Sequence, residues 1–142
     1  MKLFTIGFTR TSAERFFGRL RHAGVRRLID VRLNNVSQLA GFAKAGDLGY
    51  FGRELCGVET VHRLDLAPTA EMLAAYRDKR DWTAYAAGFR RLLARRRIER
   101  LERGLFEGAC LLCSEATPHQ CHRRLVAEYL QAKWPGVEVE HL

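Results

Sequence analysis

Within about thirty residues of its start the chain passes from a strand-like period to a helical one and back, a βαβ pattern that leaves few folds open. Lys2 to Ile6 reads as a short strand closed by Gly7. Thr11-Ser12-Ala13-Glu14 has the form of a capping box, in which Thr11 accepts from the third helical amide and Glu14 reaches back. Phe16, Phe17, Leu20 and Ala23 then fall on one helical face, and Gly24 stands where a left-handed residue would stop the helix. Val25 to Val31 follows as a second strand and runs into Asp30-Val31-Arg32. Such a unit implies parallel strands joined by a right-handed crossover.

The rest of the chain continues the alternation. Leu33 to Gly57 is punctuated by glycine and reads as a long loop with one or two short helices. Glu59 to Leu64 is a candidate third strand, and Pro68-Thr69 opens a helix near Ala70 to Lys79. Behind Asp81 as N-cap, Trp82, Tyr85, Ala86, Phe89, Leu92 and Leu93 step by three or four, as on a long amphipathic helix. Ala109 to Leu112 reads as a fourth strand, with a helix to about Lys133, and Val137 to Glu140 alternates like a half-exposed last strand. The expected fold is a single α/β domain, residues 1–142, with a mostly parallel open sheet of four to five strands and helices on both faces.

Composition narrows the setting. A chain of 142 residues that is 47% hydrophobic can bury one core but hardly two. It has no apolar run of membrane-spanning length and no signal-peptide pattern, so a cytoplasmic protein without a membrane partner is expected. Four irregularly spaced cysteines do not make a disulfide framework. The formal charge of +8 favours an anionic partner. Arg90, Arg91, Arg95, Arg96, Arg97, Arg100 and Arg103 lie within fourteen residues on what reads as one helix. With Glu99 and Glu102 interleaved, that run has the character of a solvated face, and nucleic-acid binding through it is an alternative.

The densest chemistry lies between Leu111 and Arg123, where a strand feeds a helix. Ligands in open α/β sheets bind beyond the carboxyl ends of the strands, which gathers Gly7-Phe8-Thr9-Arg10, Asp30-Val31-Arg32 and Cys113-Ser114-Glu115 at one edge. Thr117 as N-cap, Pro118 and Gln120 would put Cys121 in the first helical turn, where free amides and Arg123 suit an anion or a thiolate. Cys121 also reads as a small apolar residue. Cys113, Glu115 and His122 are the candidate catalytic groups, with Glu115 and His122 as an acid–base pair or Glu115 orienting the imidazole. A packed core histidine is the plainer reading of His122.

Gly7, Thr9, Arg10, Asp30, Arg32, Cys121 and Arg123 are candidate ligand contacts, and an ion pair between Asp30 and Arg32 is as consistent with the sequence. Cys110-x-x-Cys113 does not read as a metal clip, because a strand sends those side chains to opposite faces. A site from Cys113, Cys121 and His122 alone stays open, but no metal and no cofactor are expected.

These motifs resemble those of the family catalogued as domain of unknown function 488. The resemblance rests on Thr5-Ile6-Gly7, Leu28 to Arg32 with Ser37, Trp82 and Tyr85, and Leu112-Cys113-Ser114-Glu115 with Cys121-His122-Arg123. It implies an α/β fold and one pocket, to which Ser37 would contribute, and it implies no reaction. The chain departs from the pattern at Phe8, Asn35 and Thr60, where the family usually has a polar residue, a proline and a tyrosine. Leu28 to Arg32 also resembles the Asp-Val-Arg strand of rhodanese-type sulfurtransferases, which would make Cys113 the nucleophile. Nine residues separate Cys113 from Arg123 without a glycine, so that likeness is one of layout.

The leading expectation is a protein that binds, and acts on, a small anionic ligand that is nucleotide-like or phosphate-bearing. Thiol redox or sulfur transfer is a further alternative. The oligomeric state is open.

Overall fold

Each apolar run between a glycine stop and a polar turn becomes a strand, and all of them run parallel. The computed structural model describes residues 1–36, 41–115 and 117–142; Ser37 lies outside the described residues. The strands β1 (Lys2–Gly7), β2 (Arg27–Asp30), β3 (Glu59–His62), β4 (Ala109–Cys113) and β5 (Glu138–His141) form a five-stranded sheet in the order β3-β2-β4-β1-β5. The helices are α1 (Ala13–Ala23), α2 (Ala45–Phe51), α3 (Ala70–Lys79), α4 (Trp82–Arg96), α5 (Arg103–Phe106) and α6 (His122–Lys133).

Alternation along the buried strands divides the core. Cys110 and Leu112 of β4 join Phe16, Phe17 and Leu20 of α1 on one face. Ala109, Leu111 and Cys113 join Phe89 and Leu93 of α4 and Leu125, Val126 and Leu130 of α6 on the other. The cysteines at 110 and 113 therefore do sit on opposite faces of the sheet. β4 lies between β1 and β2, yet its following helix covers one face while α1 and α2 cover the other. A crevice opens where neighbouring connections part in this way, and Cys113 ends the strand at that point.

Several expected boundaries move. Ser12, not Thr11, caps α1: its Oγ accepts from the Arg15 amide at 3.2 Å, while the Thr11 amide closes a turn onto the Phe8 carbonyl at 3.1 Å. That turn delays the helix by one residue. β2 is shorter than Val25–Val31, and β3 ends at His62, where the Arg63 amide turns to the Asp30 carbonyl at 3.0 Å. The last strand begins at Glu138 and is half-exposed, as expected.

The arginine run is not one helix. α4 stops at Arg96 because Arg97 is left-handed (φ 54°), and a 3-10 turn (Ile98–Arg100) and α5 carry the remainder. Arg90, Arg91, Arg95, Arg97, Arg100 and Arg103 are exposed, as a solvated face requires, while half-buried Arg96 donates to the Asp65 and Ala67 carbonyls at 2.8 and 2.7 Å. Among the described residues no helix is long and apolar enough to cross a membrane.

Candidate functional site

The helix after β4 does not begin where the Thr117-Pro118-His119-Gln120 pattern suggests. Cys121, in an extended conformation (φ −140°, ψ 138°) and without a side-chain capping bond, is the N-cap residue, and His122 is the first residue of α6. The Arg124 amide closes onto the Cys121 carbonyl at 3.1 Å. Thr117 to Gln120 is thus a turn that brings Cys121 and His122 back over the end of β4.

Arg123 shapes that turn. It is fully buried, and its Nη1 donates to the Glu115 carbonyl at 2.6 Å and lies 3.6 Å from Cys121 Sγ, while Nε donates to Thr5 Oγ1 at 3.3 Å. The Glu115 carbonyl passes so close to Gly7 that a Cβ there would stand 1.6 Å from its oxygen. Only glycine leaves room for the crossing. Thr9 fastens the turn from the other side, its amide donating to the Ser114 carbonyl at 3.0 Å. Among the described residues Arg123 has no carboxylate partner, and its Nη2 makes no hydrogen bond. A thiolate beside it would balance its charge.

Cys113 has the surroundings for one. Its thiol is held below the usual range chiefly by a hydrogen bond from Cys121, against the opposing effect of burial, with the Ser114 and Glu115 amides and the Arg123 charge adding to the effect. Cys121 moves the other way: burial raises it well above the usual value, and the contact with Cys113 raises it further. The two thiols are shifted in opposite directions, so Cys113 is the one that ionises more readily. Cys110, wholly buried, is pushed up by desolvation and is a core residue.

His122 completes the group. Its Nε2 lies 2.7 Å from the Val31 carbonyl and its Nδ1 lies 3.5 Å from Cys113 Sγ. A carbonyl only accepts, so Nε2 carries a proton and Nδ1 is the nitrogen left to exchange one with sulfur. Phe89 packs on the ring edge-to-face at 5.6 Å. His122 is therefore buried and bonded like a core histidine and also in contact with a thiol. No hydrogen bond or ion pair joins the Glu115 carboxylate to it; Glu115 is exposed and contributes its backbone. The donor atoms of Cys113, Cys121 and His122 lie within 4.8 Å of one another, a donor set that suits a thiophilic metal. The Arg123 guanidinium already supplies positive charge against these sulfurs.

Above the thiols lies an open cleft of about 1130 Å³, lined by Cys113, Glu115, Cys121, His122, Thr9, Arg10 and Arg32 among the predicted residues. Gly7, Asp30 and Arg123 stand behind it. Asp30 is engaged by Arg32 as a fork, Nε to Oδ1 at 2.9 Å and Nη2 to Oδ2 at 2.8 Å, and Nη2 also reaches the Ala43 carbonyl at 2.6 Å. The guanidinium lies 5.0 Å from the centre of the Phe8 ring. Where the family pattern has a polar group, Phe8 supplies an aromatic face.

The sequence reading missed the outer wall. Tyr76, Arg77 and Arg80 from the end of α3 and Trp82 and Tyr85 from the start of α4 all line the cleft. The three rings pack at 4.9 to 5.8 Å between centroids, and desolvation keeps the Tyr85 phenol protonated. No local signal marked it, since Met72, Leu73 and Tyr76 share an apolar helical face like that of a core helix and in the structure pack only partly buried against the core. Arg10 (φ 59°) and Arg80 (φ 55°) are both left-handed, a conformation that costs energy for a residue with a Cβ.

An all-parallel α/β sheet with a thiol pair at the cleft floor defines the class of protein. Within that class, the chain belongs to the family described as domain of unknown function DUF488, whose model matches residues 12–130. No curated protein and no solved structure matches it.

Proposed function

We propose that the cleft binds a small anionic ligand with a planar group, nucleotide-like or phosphate-bearing, and that Cys113 acts on it as a nucleophile. The observation that carries this reading is the position of Cys113, its thiol pKa lowered, in a cleft lined by Arg10, Arg32, Arg77 and Arg80, with Glu115 the lone carboxylate of that lining among the described residues. Such a lining concentrates anions at the sulfur. Tyr76 and Trp82 offer ring faces for a base, and His122 exchanges a proton with the sulfur or with a leaving group. Glu115, free at the rim, is the candidate acid or base for a group farther out.

Competitive alkylation tests it. Near neutral pH, Cys113 should react with anionic iodoacetate faster, relative to neutral iodoacetamide, than free cysteine does, and a nucleoside monophosphate should protect it. Because its pKa lies below the ordinary 9.0, labelling should persist at pH values where a free thiol has slowed. Equal preference for the two reagents, with no protection by any nucleotide, would sink the proposal.

A further inference from the structure

Among the free cysteines, Cys110 is in the opposite core and Cys56 donates to the Phe17 carbonyl, whereas Cys113 and Cys121 face each other. Their sulfurs lie within 4.8 Å of each other, one at the end of β4 and one on the N-cap of α6. A lone nucleophile needs no second thiol in contact with it. We propose that Cys121 is the resolving thiol of Cys113 and that the site reduces a small anionic disulfide, cycling between a dithiol and an internal Cys113–Cys121 disulfide. This rests on the reading of Cys113 as the nucleophile.

The steps balance. Cys113 thiolate attacks one sulfur of the substrate disulfide, that S–S bond breaks, and the first product thiolate leaves with the electron pair. Cys121 then gives its proton to His122 and attacks Cys113 Sγ, forming the internal disulfide and expelling the second thiolate, which takes up that proton. Two electrons pass from the protein thiols to the substrate, and a second dithiol restores the resting site.

The surroundings time the second step. Burial holds the Cys121 proton in place, and the contact with Cys113 and any charge on it add two further effects. Once Cys113 is in a mixed disulfide both effects vanish, and Arg123, with Nη1 3.6 Å from Cys121 Sγ, remains to stabilise the new thiolate. The arginines of the cleft select a disulfide that carries carboxylates.

Oxidised glutathione is the probe, with cationic cystamine as its counterpart, and peptide mass mapping after acid quench is the readout. Wild type should lose two hydrogen atoms, yield a Cys113–Cys121 cross-link and react faster with glutathione disulfide than with cystamine. Cys121→Ser, or Cys121→Ala should the first misfold, should stop at a glutathione adduct on Cys113. A stable adduct in the wild type, or no reaction while iodoacetate still labels Cys113, overturns the resolving role and leaves the nucleophile reading standing. Failure of both reagents at Cys113 overturns both.

Discussion

Arg32 faces the cleft while already bound to Asp30, and that double commitment defines what each residue can do. Asp30 is almost fully buried and receives the Arg32 backbone amide at 3.1 Å as well as the guanidinium fork. Removing the carboxylate leaves a buried cation with only carbonyl contacts, so Asp30→Ala should lower stability by about 3–5 kcal/mol. Urea unfolding reads this directly, and a loss below about 1 kcal/mol would mean that water replaces Asp30 around Arg32. The sequence left the Asp30–Arg32 ion pair and a ligand role as equal readings. The structure shows the ion pair, with Arg32 but not Asp30 in the lining of the cleft. Gly7 changes meaning in a similar way: its missing side chain makes room for the Glu115 carbonyl, a contact between residues far apart in sequence.

Among the elements, those with local signals were the easiest to read. Gly24, at φ 71°, ends α1 as expected, and Thr69 and Asp81 cap α3 and α4 through bonds to the Met72 and Ala84 amides. The α1 start was misplaced because Thr11 and Ser12 are both competent caps, and a backbone turn chose between them. Ser12→Ala should therefore cost about 1 kcal/mol in chemical denaturation and Thr11→Ala clearly less. The reverse order would restore Thr11 as the cap. The start of α6 failed for a longer-range reason: Thr117-Pro118-His119-Gln120 satisfies a local capping pattern, but buried Arg123 holds the Glu115 carbonyl and ties the strand end to the helix. The Arg90 to Arg103 stretch is solvated as read, with only Arg96 half-buried, but it is not one helix, because Arg97 turns left-handed and ends α4.

For the whole molecule, the placement of charge matters more than its amount. A formal charge of +8 states only a preference for anions, whereas the fold gathers Arg10, Arg77 and Arg80, with Arg32 paired to Asp30, at one cleft. Binding of a nucleoside monophosphate, followed by calorimetry, should weaken as salt rises from low to physiological ionic strength. The affinity should also fall in Arg77→Ala and Arg80→Ala without loss of fold, since both side chains are exposed. Salt-independent binding would remove the electrostatic basis of the proposed site. The aromatic wall is a whole-molecule feature too, because Tyr76 meets Trp82 and Tyr85 only where α3 turns into α4 against the sheet.

Alternating periods, glycine stops and the charge balance were determined by the sequence alone, because each reflects interactions within a few neighbouring residues. They were enough for a parallel α/β sheet and for the crowding of thiol, imidazole and guanidinium groups at the end of β4. Tertiary structure alone decided that Cys113 and Cys121 meet with their thiols shifted in opposite directions, that Arg123 is buried beside them, and that α3 supplies an outer wall of the cleft. The physical reason is shared: burial and proximity set the energy of a charge, and both depend on segments that meet only when the sheet is assembled.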